Sequence, residues 1–141
     1  MTTTVKRNLV QYDIGVKNMA GFIAASAITK AGAFVEMSST AYTIKNSVAS
    51  GTTRPLGITT ASATAGSDTN EVRTGGYVWQ MGISMAPGNP VYPSDVHGRV
   101  QKTGKVDGSG VPYYPGGFGT VIVASNATGS GYILTKLQGL V

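Results

Sequence analysis

The chain contains no cysteine, so disulfides and thiolate metal sites are excluded, and packing with backbone pairing must hold whatever fold it adopts. Histidine and tryptophan each occur once, as His97 and Trp79. Charged side chains make up only 12% of the chain, too few for the solvated faces of a helical bundle. Long apolar runs are missing as well. None approaches the ~20 residues that span a bilayer, and no membrane partner is expected. The stretch from Met19 to Ile28 behind Lys17 has the outline of a signal h-region, but Gly21 and Ser26 interrupt it, and a cleaved signal is not expected.

What is abundant is glycine, at 20 of 141 residues, together with Thr, Ser and Ala. That composition suits short strands joined by tight turns, and the length fits one domain with its own core. Alternation places strands near 33–37, 41–48, 54–59, 77–81, 91–92, 100–102, 118–124 and 132–137, with 71–73 leading through Gly75-Gly76 into the strand at 77–81, and no helical period exceeds about two turns. Residues 21–28, small and apolar, fit a buried strand or one short helical turn, with a strand preferred. The stretch from Thr103 to Gly117, rich in glycine and proline, is a long loop, and loops of that size are commonly functional. The expected fold is all-β: a small barrel or barrel-like sandwich of short strands.

Two halves of the chain also repeat each other roughly. Gly32-Ala33-Phe34-Val35, Leu56-Gly57-Ile58 and Gly76-Tyr77-Val78 in the first half answer to Gly88-Asn89-Pro90-Val91, Phe118-Gly119-Thr120-Val121 and Gly131-Tyr132-Ile133 in the second. The domain plan is therefore an extended N-terminal arm over 1–20 and a single β-domain over 21–141, with pseudo-repeats at about 29–81 and 85–137. The arm alternates loosely through Val5, Leu9, Tyr12, Ile14 and Val16, and it packs either on its own domain or on a neighbour.

Chemistry finds little footing. A nucleophilic triad needs a base, and His97 sits in a polar turn, Asp95-Val96-His97-Gly98. The acids Asp13, Asp68, Glu71, Asp95 and Asp107 mostly lie beside turn residues, and Glu36 is expected to point outward from a strand. Gly104-Lys105-Val106 is not a phosphate-binding loop, and Asn126-Ala127-Thr128 is a glycosylation pattern short enough to arise by chance. No catalytic residue, metal or cofactor is expected. Eleven basic and six acidic side chains leave a net +5, which draws anionic partners at long range, but the cations are scattered and only Lys6 and Arg7 adjoin. Tyr77 and Trp79 share one strand face without interleaved basic residues, so core or interface packing is favoured over base stacking, and no specific nucleic-acid partner is expected. Tyr113 and Tyr114, between Pro112 and Pro115, cannot easily both reach the core; both are expected to be exposed interface anchors.

The order of these landmarks resembles the capsid cement, or head decoration, proteins of tailed bacteriophages. The residues that carry the likeness are Ala31-Gly32-Ala33-Phe34-Val35, Pro55-Leu56-Gly57-Ile58, Gly76-Tyr77-Val78, Pro87-Gly88-Asn89-Pro90-Val91-Tyr92 with Gly98-Arg99-Val100, and Gly131-Tyr132-Ile133-Leu134. It covers roughly residues 29–137; the segment before Gly21 and the loop after Lys105 depart from the pattern. The resemblance implies a non-enzymatic virion protein, a homotrimer on the capsid exterior that bridges major capsid subunits in the assembled lattice. Its contacts are then expected at Val5, Leu9 and Tyr12 in the arm and at Tyr113 and Tyr114 in the loop. The alternatives are a glycan-binding or head-fibre-base module and a basic nucleic-acid-binding barrel, with a small hydrolase last.

Overall fold

The structure is a computed structural model and describes residues 18–28, 31–67, 70–96, 99–124 and 130–138. Among them there is no helix, and the strands follow in chain order: β1 (Asn18–Ala24), β2 (Phe34–Met37), β3 (Thr43–Asn46), β4 (Gly57–Thr59), β5 (Asn70–Arg73), β6 (Gly76–Ile83), β7 (Tyr92–Pro93), β8 (Arg99–Gln101), β9 (Gly119–Ala124) and β10 (Ser130–Leu137). The fold is all-β and barrel-like, as the composition implies.

Strands β1 to β5 close into a barrel in the order β1-β3-β2-β4-β5. The β1–β3 pair is parallel, and β3–β2, β2–β4, β4–β5 and β5–β1 are antiparallel. Strands β6 to β10 form a sheet in the order β7-β8-β6-β10-β9. Its two edges meet through the segment entering β7: Pro90 bridges Thr120, Val91 N–H donates to Gly119 O at 3.0 Å, and Phe118 N–H donates to Val91 O at 2.9 Å. The second ring thus runs β6-β8-β7-β9-β10, with its one parallel pair, β6–β8, in the same place as β1–β3.

The match extends to single residues. Ile23 pairs Thr43 and Ala24 pairs Ile44 in the first ring, and Met81 pairs Arg99 and Gly82 pairs Val100 in the second. Ser38 N–H donates to Thr43 O as Ser94 N–H does to Arg99 O, and Gly32 N–H donates to Thr59 O as Gly88 N–H does to Val121 O. Gly32 and Gly88 both hold φ near +85°, a left-handed turn that a β-carbon would strain. At Gly57 a β-carbon would lie 2.4 Å from Arg73 O, and at the equivalent Gly119 it would lie 2.9 Å from Lys136 O. The same strand crossing demands glycine in both copies.

This register sets the frame of the duplication. The structural repeats are 18–73 and 76–137, so Gly76-Tyr77-Val78 opens the second ring and is the counterpart of β1. Its partner in the sequence comparison, Gly131-Tyr132-Ile133, lies in β10, the strand paired beside it. Asn18 to Ala20 likewise belong to β1 rather than to an arm ending at residue 20.

Each ring has its own core. Phe22, Ala24, Ile28, Val35, Ile44 and Val72 fill the first, and Val78, Met85, Val91, Val100, Val121 and Ile133 fill the second. Each of these side chains other than Ala24 contributes about 1.5–3 kcal/mol when fully buried. Phe34 and Ile58, from the first ring, pack with the second core instead. Phe118 faces Phe34 at 6.0 Å and Tyr92 at 5.9 Å, and Gln80 Nε2 donates to Gly32 O at 2.8 Å. Glu36 corrects an expectation. It is only 6% exposed, and Lys45 Nζ lies 3.9 Å away across the β2–β3 pair.

Candidate interaction surfaces

The two rings differ most where they are joined by longer chain. In the first, β3 reaches β4 through residues 47–56; in the second, β8 reaches β9 through residues 102–118, and the surplus folds into a small hairpin. Asp107 organises its tip. The carboxylate accepts the N–H of Ser109 at 2.8 Å and of Val111 at 2.9 Å, while Asp107 N–H donates to Val111 O. Val106 bridges Pro112, and Tyr113 N–H donates to Lys105 O at 3.0 Å. The base is pinned by Tyr114, whose hydroxyl donates to Thr52 O and whose carbonyl accepts the Tyr92 hydroxyl, both at 2.6 Å. Its ring packs on Phe118 at 5.1 Å, and the Arg54 guanidinium lies 6.0 Å over it.

The adjacent tyrosines therefore divide their work. Tyr114 is half-buried and held by its own domain, because the turn at Pro115 to Gly117 brings its ring against Phe118. Tyr113 stays 47% exposed, with Val106 at 45% and Val111 at 54% on the same hairpin. The projecting apolar tip, not the aromatic pair, is the outward feature. A crevice under the loop, lined by Val48, Gly51, Pro55, Tyr92 and Phe118, has room for about one water.

A second apolar surface lies on the outside of the second ring. Alternation along β6 turns Val78 and Gln80 inward and leaves Tyr77, Trp79 and Met81 outward and half-buried. Across the ladder Leu134 faces Trp79 and Val123, and Tyr132 faces Met81. A register shift in β9 leaves Ile122 as well as Val123 exposed. Three equivalent positions of the first ring are polar or small, Glu71 standing for Leu134, Thr60 for Ile122 and Ala61 for Val123, while Met81 keeps an apolar counterpart in Ile23. Contiguous exposed apolar surface on a soluble domain marks a contact site. Lys136 borders the patch, 6.0 Å over the Tyr77 ring.

Of the residues singled out in the sequence, Tyr113 and Tyr114 are placed as above, and Val5, Leu9, Tyr12 and His97 lie outside the described residues. The outer face around Trp79, Leu134 and Val123 was within reach of the sequence only in part. Tyr77 and Trp79 were seen to share a face, but Ile122, Val123 and Leu134 read as ordinary strand residues. Tyr42 was also missed. It is 72% exposed at the tip of the β2–β3 turn with φ of 60°, an unusual conformation for a bulky side chain. Among the described residues no three His, Cys, Asp or Glu side chains gather as metal ligands. Compared with family models and with curated proteins, the chain matches none.

Proposed function

We propose that the chain is a structural virion protein that attaches to the outer surface of an assembled phage capsid and stabilises it by bridging major capsid subunits, without catalysis or cofactor. The observation that carries this reading is the 105–113 hairpin, an apolar tip of Val106, Val111 and Tyr113 raised on a base fixed by Tyr114, Tyr92 and Arg54. An anchor ordered in advance loses little conformational entropy on docking. Exposed rigid aromatics are also the side chains on which protein contacts concentrate their binding energy. The likeness of the landmark order to head decoration proteins supports the same assignment.

The physics of such a role is linkage. A ligand that binds the assembled shell and not its separated subunits stabilises the shell by mass action, and many copies on one lattice multiply the effect. The expected active species is a homotrimer on the capsid exterior. The deciding experiment is co-sedimentation with assembled shells and, separately, with unassembled major capsid subunits. Binding to shells alone, with a rise in the temperature at which they rupture, is the expected result. Equal binding to free subunits contradicts the assignment.

A further inference from the structure

The outer face of the second ring needs a cover, and the structure limits what kind. Among the described residues the first ring is a closed barrel and the edges of the second sheet meet through residues 88–91, so neither leaves a long free edge for strand addition, and an occupant packs side chain to side chain. The face itself is a shallow apolar strip centred on Trp79, with Tyr77 and Met81 along β6 and Leu134 and Val123 across the ladder.

We propose that the occupant is the chain's own N-terminal segment, residues 1–17, laid along this strip of the same molecule. Three observations converge on it. Tyr12, Ile14 and Val16 recur at the period of a strand, so an extended segment presents all three on one side, with Gln11, Asp13 and Lys17 on the other. The segment joins β1 at Asn18, which pairs with Arg73 at the end of β5. Only Thr74 and Gly75 separate β5 from β6, where Tyr77 begins the apolar strip, so the segment starts within about 20 Å of it. Seventeen extended residues reach about 55 Å, while the eight residues of β6 span about 26 Å, so the whole strip lies within range. The exposed large apolar residues of the first ring, Ile23, Met37 and Tyr42, lie at the opposite end of β1. Capsid binding is not a premise of this proposal.

Trp79 is the only tryptophan and the chain has no cysteine, so one fluorophore and one introduced thiol report the contact directly. The full chain carrying Gly15→Cys with a nitroxide label should quench Trp79 strongly, and the same label on Ser39→Cys, in the exposed β2–β3 turn of the first ring, should not. The quenching should be unchanged when labelled chains are diluted into excess unlabelled chain, as a contact within one molecule requires. In the unlabelled full chain, Ile14→Asp with Val16→Asp should shift Trp79 emission to the red and about double its quenching by acrylamide, as expected when apolar cover is lost. The proposal is overturned if the Gly15 label leaves Trp79 unquenched. It is equally overturned if the quenching falls on dilution into unlabelled chain, which assigns the strip to a second copy. Unchanged acrylamide quenching in the Asp variant also contradicts it.

Discussion

The two rings have the same strand order, the same parallel pair and the same glycine crossings, yet one carries Thr60, Ala61 and Glu71 on its outer β4–β5 surface where the other carries Ile122, Val123 and Leu134. The difference separates what a closed five-stranded ring requires from what it merely permits. Closure fixes the residues that point in and those that touch backbone, such as Val35 and Val91, or Gly57 and Gly119. It leaves the outer positions and the loop lengths open. The second copy uses that freedom for a hairpin and an apolar strip; the first keeps a short connection and has polar or small side chains on the corresponding β4–β5 surface.

The comparison is broken most severely at the joint between the rings. Phe118→Ala removes the ring that contacts Phe34, Tyr92 and Tyr114, and should cost about 3–5 kcal/mol in thermal or denaturant unfolding. If the loss is confined to under about 1 kcal/mol, the rings are stable separately and the joint is incidental.

The glycine crossings come next. Gly57→Ala drives a methyl into Arg73 O and should destabilise by about 3 kcal/mol, with Gly119→Ala close behind, since overpacking against backbone cannot be relieved by a rotamer change. A large effect in one copy and none in the other would undo the equivalence of the rings. Tyr114→Phe removes only the hydroxyl bonded to Thr52 O and should cost about 1 kcal/mol, measurable by the same unfolding curves. The smallest effect is expected from giving the second ring the surface of the first. Leu134→Glu with Val123→Ala should shift stability by about 0.5–1 kcal/mol while leaving the far-ultraviolet spectrum unchanged, because these side chains are not in the core.

The sequence revealed the fold where geometry constrains residue type. Gly32 and Gly88 were legible because a left-handed turn needs glycine, and the long loop was legible because proline and glycine exclude a strand. The frame of the repeat was not. Gly76-Tyr77-Val78 and Gly131-Tyr132-Ile133 look alike because both lie at the start of a strand with an alternating pattern, and such a pattern does not distinguish a strand from its neighbour across the ladder. Tyr113 and Tyr114 were indistinguishable for a similar reason. Which of two adjacent aromatics turns inward depends on where Phe118 sits, and only the folded loop fixes that. The apolar strip was hidden because Ile122, Val123 and Leu134 fit a core strand equally well until the ring closes and assigns their side.

The central claim, that the second copy carries the attachment surface, is tested most directly by co-sedimentation with assembled capsid shells. Two variants are compared: one with Val106, Val111 and Tyr113 all changed to Ser, and one with Ile23, Met37 and Tyr42, exposed apolar residues of the first ring, changed likewise. The account predicts that the hairpin variant stays folded but loses about 30-fold or more in affinity, the loss of about 2 kcal/mol expected of an aromatic anchor, while the first-ring variant binds as the unaltered chain does. Equal losses in both, or a loss confined to the first-ring variant, would contradict it.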